Sequence, residues 1–388
     1  MRWIARLSLV LGSVAGTFLI CELIARLALA PQQVVEIELK SVAPSRTARN
    51  SLIEEDGHID SVIDWSGHHG IRLRPNLSVT IKNHLLSHQD VRIETNSLGL
   101  RSPELPEREP GEYRILVMGD SITLADYMDE EDSIPRILEK RLAASGHPKV
   151  RVINAGLPGA STRDEYYHYP ELKDGVRPDL VLVAMYLNDA TDSEKFYART
   201  LRWPYSKSWL LTWLVNRLQI SEKSFCSEVV TSTGIDPKWK EEFRAGRNLH
   251  SGGMFSSKDG FDFEIYHAAM DFGLAWNPKS WEILAKMVAV FRDTVVQSQS
   301  RFAMTLLPVH LQVLGTVANV YPQEQFMQTC RRLGIDCLDV RPVLRQAAAQ
   351  NKKRLYYDHC HMTAFGNAVV ASGLQEWLEP DLPRPSRP

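Results

Sequence analysis

Cysteine is scarce in this chain, with 5 in 388 residues, which excludes a scaffold held together by disulfides in place of a core. Neither sign of charge prevails: 45 Lys and Arg face 47 Asp and Glu, a net charge of −2. No sequence-wide electrostatic footprint exists for a nucleic-acid backbone, and no nucleic-acid partner is expected. Internal repeats and low-complexity tracts are absent, and with 44% hydrophobic residues the chain has ample material for a buried core, so wholesale disorder is excluded. Beyond the first thirty residues no stretch reaches the roughly 18 apolar residues of a membrane crossing, so one crossing is the limit.

That one candidate opens the chain. Arg2 and Arg6 precede fifteen uncharged residues, Leu7 to Cys21, and an apolar run punctuated by Glu22 and Arg26 continues to Ala30-Pro31. A helix over Leu7–Ala30 would measure about 36 Å, enough for a hydrocarbon core of about 30 Å. Glu22 and Arg26, four apart, share a helix face near its far end, where they can pair or reach headgroups. The segment is read as an uncleaved signal anchor, residues 1–30; the rival is a cleaved signal peptide ending at Ala28-Leu29-Ala30, disfavoured by Pro31. Arginines at the start set that end in the cytoplasm, so the remainder is expected on the extracytoplasmic, in a bacterium periplasmic, side of the inner membrane. Cys21 lies in the anchor, leaving Cys226, Cys330, Cys337 and Cys360. Cys330 and Cys337, flanking a helix-to-strand turn at Leu333-Gly334, are the best candidate bridge; free buried thiols are the alternative.

Residues 31–112 form a second region, rich in β-branched alternation at Leu77–Ile81 and Val91–Thr95, and closed by the breakers Pro103, Pro106, Pro110 and Gly111. From residue 113 the pattern changes. Short apolar runs, Ile115–Met118, Val150–Ile153, Leu180–Ala184, Phe302–Leu307 and Asp336–Val340, alternate with helical stretches at 133–144, 278–298, 323–333 and 364–378. Continuous apolar strands alternating with helices predict an α/β domain with a parallel sheet over residues 113–388. An aromatic-rich insertion at about 193–277 holds Trp203, Trp209, Trp213, Trp239 and Trp276; these rings suit a local core, a lid or sugar stacking. The tail from Pro380 is expected to be disordered.

In open parallel sheets the active crevice lies beyond the carboxyl ends of the strands. The first strand there delivers Gly119-Asp120-Ser121, the second Asn154-Ala155-Gly156-Leu157-Pro158-Gly159, the third Asn188-Asp189, and the loop before the last helix Asp358-His359-Cys360-His361. Alone, Gly-Asp-Ser after a strand is most often a turn with a helix cap. Together the four pieces supply a nucleophile, a base, an orienting acid and oxyanion donors, the parts of an acyl-transfer site.

In these blocks, Gly119–Thr123, Asn154–Gly159, Asn188-Asp189 and Asp358-x-x-His361 followed by Met362-Thr363, the chain resembles the SGNH (GDSL-type) hydrolases, in their membrane-anchored bacterial form, from about Tyr113 to Leu378. The resemblance implies a flavodoxin-like three-layer α/β/α fold with a parallel sheet, here preceded by the N-terminal helix and the small β-rich region. It implies Ser121 as nucleophile, His361 as general base and Asp358 as the acid that orients the imidazole. It implies an oxyanion hole from the backbone N–H groups of Ser121 and Gly159 and the side chain of Asn188. Glycine at 159 leaves room for substrate, and asparagine at 188 is a neutral donor. Thr95-Asn96-Ser97-Leu98-Gly99-Leu100-Arg101 looks like a segment found ahead of the domain in membrane-anchored relatives.

The third block departs from the family: Tyr186 stands where a glycine is usual, which bears on the shape of the acyl pocket. His359 is a second histidine, but the offset from Asp358 selects His361. Cys360 reads as a packed or bridged thiol, since nothing marks it for thiolate stabilisation. Asp120 and Asp189 read as structural hydrogen-bonders. A metal held by Asp358, His359 and His361 lacks further ligands at recognisable spacing, and no metal or cofactor is expected. Asn76-Leu77-Ser78 matters as a glycosylation acceptor only in a eukaryotic secretory setting.

The resulting expectation is a membrane-anchored serine esterase that forms an acyl-enzyme at Ser121. Its expected substrates are small-molecule or glycan esters, in particular O-acetyl groups of exported or cell-surface polysaccharide. The alternative is an O-acetyltransferase with the same triad and a sugar hydroxyl as acceptor. A non-catalytic glycan-binding protein on a hydrolase fold would need a broken triad, and this one is complete.

Overall fold

The computed structural model describes residues 2–33, 51–54, 63–64, 72–81, 84, 86–190, 210, 272–314 and 320–383. Trp203, Trp209, Trp213 and Trp239 of the expected insertion, and Cys226, lie outside the described residues. The chain divides into two compact units, residues 1–46 with 195–228, and residues 47–194 with 229–388.

In the first unit, helix α1 runs Arg2–Gln33. Among the described residues no helix is long and apolar enough to cross a membrane. The helix expected at the N-terminus forms, but its reading as a membrane-spanning segment is not supported.

The second unit begins with short strands: β1 (Ser51–Glu54), β2 (Ile63–Asp64), β3 (Arg72–Leu73), β4 (Ser78–Ile81) and β5 (Val91–Glu94). β1 pairs parallel with β4, β4 antiparallel with β5, and β2 antiparallel with β3. In β5 residues alternate buried and exposed, as the period-2 pattern requires. The inward residues Val79, Ile81, Val91 and Ile93 form one cluster with Leu124, Leu157 and Ala160, so this sheet packs onto two of the loops that carry candidate site residues.

The α/β part follows: β6 (Tyr113–Gly119), α2 (Ser121–Leu124), α3 (Ile134–Ala144), β7 (Val150–Gly156), α4 (Thr162–Val176), β8 (Leu180–Tyr186), α5 (Pro278–Gln297), β9 (Arg301–Leu307), α6 (His310–Leu314), α7 (Tyr321–Leu333), β10 (Asp336–Asp339), α8 (Arg341–Gln350) and α9 (Ala364–Leu378). Five strands pair in parallel in the order β10-β9-β8-β6-β7. Counted along the domain this is 2-1-3-4-5, the flavodoxin-like order, whose switch point lies between β6 and β8. α3 packs with α9 and α9 with α8, while α5 packs with α4 and with α7, two groups of helices flanking the sheet. The strands β6 and β8 read as unbroken apolar runs because both faces are covered; every residue of β8 is buried.

Two smaller features complete the unit. Cys330 and Cys337 form a disulfide at the turn from α7 into β10. The tail is ordered further than its prolines suggest: Leu382 is buried, Asp381 pairs with Arg301 at 2.9 Å, and the Pro383 carbonyl lies 3.2 Å from His147 Nδ1.

Candidate active site

Strand register brings the first three sequence blocks together. Gly119 is level with Gly156 of β7 and Ala184 of β8. Ser121, Gly159 and Asn188, each two to four residues further on, therefore leave the sheet at one end, across the switch point. Asp120 caps α2, its Oδ1 accepting the Ile122 N–H at 2.9 Å, so that Ser121 opens the helix directly after β6. Gly159 has φ +64° with open space where a Cβ would stand, so its backbone conformation, rather than crowding, calls for glycine.

The fourth block approaches from the other end of the chain. Tyr356 bridges to Met362, the Tyr357 N–H donates to the His361 carbonyl at 2.7 Å, and the Thr363 N–H donates to the Leu355 carbonyl at 2.9 Å. These bonds close a tight loop that projects Asp358 and His361. His361 Nε2 lies 2.9 Å from Ser121 Oγ, and its Nδ1 lies 2.6 Å from Asp358 Oδ2. Asp358 Oδ1 accepts the N–H groups of Cys360 (2.9 Å) and His361 (2.7 Å). With Nδ1–H directed at the carboxylate, Nε2 is left to accept from the serine, the tautomer a general base needs.

The electrostatics follow from this geometry. Burial opposes the charge on Asp358, but His361, His359 and the donated hydrogen bonds outweigh it and hold the carboxyl well below its ordinary range. Burial likewise opposes the imidazolium, yet the charge and hydrogen bond of Asp358, helped by Asp126 and Asp120, raise His361 to about 9. A hydroxyl, imidazole and carboxylate in this line can pass a proton from serine to imidazole while the carboxylate stabilises the cation that forms.

The other candidates take the places their chemistry suggests. Asp189 is buried, its Oδ1 accepting from the Thr162 N–H and hydroxyl (2.9 Å to the hydroxyl) and its Oδ2 from the Tyr186 N–H at 3.0 Å; like Asp120, it organises loops. Asn188 is half-buried, and its Oδ1 has no hydrogen-bond partner among the described residues. It is His361 that meets the serine; the His359 carbonyl accepts from the His310 N–H and its ring lies 6.0 Å from Phe272. Cys360 is buried and outside the disulfide, and its Sγ lies 3.4 Å from His361 Nδ1. Asp358, Cys360 and His361 each place one potential metal-ligand atom within 4.8 Å of the others, but Oδ2 and Nδ1 are already committed to each other.

Sequence reasoning missed the side chains packed around the His361 ring and beside Asp120 and Asp189. Tyr127, fully buried, sets its ring edge-on to the His361 ring at 5.0 Å and to Tyr357 at 5.8 Å. His84, from the loop after β4, lies 6.4 Å from Tyr127. Burial, with the charges of His361, Arg101 and His88, lowers it to about 4, so it stays neutral at pH 7. Glu165 of α4 is buried beside Asp189 and Asp120, and burial together with those carboxylates raises it well above the usual range. None of these residues carries a motif of its own.

Residues 115–202 match the GDSL-like lipase/acylhydrolase family. An arylesterase from Vibrio mimicus is 37% identical over 76 residues, which make up 20% of this chain and 38% of that protein. This chain thus matches well under half of that relative's length. Among solved structures, a lipase/acylhydrolase from Enterococcus faecalis is 11% identical, with 71% of this chain and all of the other covered and a TM-score of 0.39. A catalytic variant of an acetylxylan esterase from Geobacillus stearothermophilus is also 11% identical, with 69% and 95% covered and a TM-score of 0.39. Likeness of that size says nothing of activity.

Proposed function

We propose that this chain is a serine esterase. The observation that carries the reading is the continuous line Ser121 Oγ, His361 Nε2, His361 Nδ1, Asp358 Oδ2, with separations of 2.9 and 2.6 Å. The GDSL-like lipase/acylhydrolase match over residues 115–202 and the arylesterase relative support it.

In this mechanism Ser121 Oγ attacks the ester carbonyl carbon as its proton passes to His361 Nε2. The backbone N–H groups of Ser121 and Gly159 and the side-chain amide of Asn188 receive the negative charge on the former carbonyl oxygen. Collapse expels the alcohol, which takes the proton from His361, and leaves an acyl group on Ser121. A water molecule, deprotonated by His361, attacks the acyl-enzyme; the acid leaves and the proton returns to Ser121. The substrates we assign are O-acetyl esters of exported or cell-surface polysaccharide. Placement in the bacterial periplasm is read from the arginine-first apolar run at the N-terminus and accords with a disulfide between Cys330 and Cys337; cell fractionation and protease accessibility test it.

The deciding experiment is hydrolysis of a short chromogenic acetyl ester by the full chain beside Ser121→Ala and His361→Ala. Wild-type turnover with a loss of about a thousandfold or more in both variants is expected, the scale of removing a triad member. A folded wild type no faster than either variant overturns the reading. Addition of an acceptor glycan distinguishes water from a sugar hydroxyl in the second step, and acetyl transfer to the glycan would make the enzyme an O-acetyltransferase.

A further inference from the structure

The segment Thr95–Arg101 lies outside the triad and the oxyanion donors, yet it is tightly built. Asn96 Oδ1 accepts the N–H groups of Leu98 and Leu100, both at 3.0 Å, and its Nδ2 donates to the Pro103 carbonyl at 3.2 Å. The Asn96 N–H donates to the Leu100 carbonyl and the Gly99 N–H returns to the Asn96 carbonyl, both at 2.9 Å. Gly99 sits at φ +74°, and a Cβ there would stand 2.5 Å from the Leu73 carbonyl oxygen, so both conformation and space demand glycine. This closed loop aims one side chain, Arg101, into the protein, where it is 1% exposed.

The guanidinium ends among main-chain carbonyls. Nη1 donates to Leu124 (2.8 Å) and Ala125, and Nη2 donates to Met128 (2.6 Å) and to Arg92 of β5 (3.2 Å). Three of these four acceptors belong to the turn that leaves the nucleophile helix, which passes through Ala125 in the left-handed conformation, φ +56°. A planar, rigid fork of donors can hold several carbonyls at once, whereas an ammonium is a point charge. Asn154 braces the same turn from β7, its Nδ2 donating to Thr123 (2.9 Å) and Leu124 (3.4 Å), while its own N–H donates to Ser102 Oγ at 2.8 Å. The turn carries Tyr127, whose ring edge rests against His361. Around the guanidinium stand Asp126, Glu130, Asp129 and Tyr127, which favour its charge against burial, and His84, whose protonation it opposes.

We infer that Arg101, delivered by the Thr95–Arg101 loop, is a positioning residue for the Ser121–His361 pair. By fixing the carbonyls of Leu124, Ala125 and Met128, it seats Tyr127 against the imidazole and keeps Nε2 on the serine hydroxyl. The inference rests on the serine-esterase reading. It gives the β-rich region a task within the site, because Arg101 ties β5 to the nucleophile turn.

The test uses the full chain and a fluorophosphonate probe that labels an activated serine, with rates expressed per folded molecule. Arg101→Met is expected to label about ten- to a hundredfold slower than wild type, since misplacement on the scale of 1 Å costs about a hundredfold. Arg101→Lys, which keeps charge but not the fork, is expected to restore part of the rate. The low-field NMR signal of the proton between His361 Nδ1 and Asp358 is expected to shift or broaden in the Met variant. Gly99→Ala, which keeps the Arg101 side chain but displaces the loop that delivers it, is expected to give the same readouts and serves if Arg101→Met does not fold. Tyr127→Leu is expected to slow labelling, whereas Tyr127→Phe is not, because the Tyr127 hydroxyl has no hydrogen-bond partner among the described residues. Folded variants at Arg101 and Gly99 that label within about twofold of wild type and keep the NMR signal, with only melting temperature lowered, would reduce Arg101 to a structural residue and overturn the inference. If wild type is labelled no faster than Ser121→Ala, the esterase reading itself fails, and the inference falls with it.

Discussion

Asp358 holds His361 twice: Oδ2 takes the imidazole Nδ1 at 2.6 Å, and Oδ1 takes the His361 backbone N–H at 2.7 Å. One carboxylate therefore fixes both the ring and the chain that carries it. The first grip sets the tautomer; the second fixes the direction from which the ring reaches Ser121.

A pH dependence follows. The base works as the neutral imidazole, and Asp358 is the chief cause that raises His361 to about 9. Esterase activity of the free enzyme is thus expected to rise with pH through the neutral and mildly alkaline range. Asp358→Asn removes that cause, so the rising limb should move to lower pH, toward the ordinary histidine value of about 6.5, while the maximal rate falls by about 10⁴-fold, as for the equivalent change in a serine-protease triad. A kcat/KM profile for both proteins checks this; an unmoved limb would show that another group titrates. The stability sign is opposite. A raised histidine pKa contributes stability that is complete below about 6.5 and is lost as pH rises through about 9, so activity is expected to climb where this contribution fades.

Asn188 supplies the second test. It sits four residues beyond Ala184, which is level with Gly119, on the far side of the switch point from Gly159. Asn188→Ala is expected to lower kcat by about 10²- to 10³-fold with little change in KM, because an oxyanion donor acts on charge that develops only in the transition state. A drop in kcat/KM carried by KM alone would reassign Asn188 to ground-state binding.

How much of this was legible in the sequence depends on the range of the interaction. The strands could be read because burial on both faces leaves unbroken apolar runs such as Ile115–Met118 and Leu180–Ala184. The positions of Ser121, Gly159 and Asn188 at one sheet end then followed from parallel pairing. Asp358 and His361 could be read because three residues of spacing in one loop confine them. Tyr127, His84 and Arg101 could not: each meets the site through contacts between distant stretches of chain, such as the 24 positions between Arg101 and the Ala125 carbonyl, and no local pattern encodes such a meeting. The described part of the tail, as far as Pro383, departs from the expected disorder for the same reason, since it is met by distant stretches of chain, as in the Asp381–Arg301 pair 80 positions apart and the burial of Leu382.

The Cys330–Cys337 disulfide closes a loop with a sequence separation of 7, between α7 and the edge strand β10. For so short a loop the entropic account gives about 2–3 kcal/mol. Cys330→Ala with Cys337→Ala is expected to lower the melting temperature by several degrees while leaving kcat/KM unchanged, because β10 is separated from β6 by β8 and β9. The same shift should follow from adding a reductant to the wild type and be absent from the double variant. A loss of activity greater than the loss of folded protein would contradict this assignment.

Glu165 offers a stability test in the opposite direction. It is 1% exposed, and its Oε2 has no hydrogen-bond partner among the described residues, while Asp189 beside it accepts from Thr162 and Tyr186. Burial, Asp189 and Asp120 all raise the Glu165 pKa; burial and Asp120 raise Asp189 too, but the hydrogen bonds it accepts from Thr162 and Tyr186 favour its charged form, so Glu165 is the carboxyl expected to keep its proton. A carboxyl whose folded pKa lies above its unfolded value of about 4.3 binds more protons folded than unfolded, so stability declines as pH rises from that value to the folded pKa. Glu165→Gln keeps the size of the side chain and removes the titration. The variant should match wild type near pH 4 and exceed it at pH 7–8, by about 1.4 kcal/mol for each unit of pKa shift removed within that window. Chemical denaturation at the two pH values measures the difference, and a Gln variant less stable than wild type at pH 8 would show that the Glu165 carboxylate is ionised and paired in the folded protein.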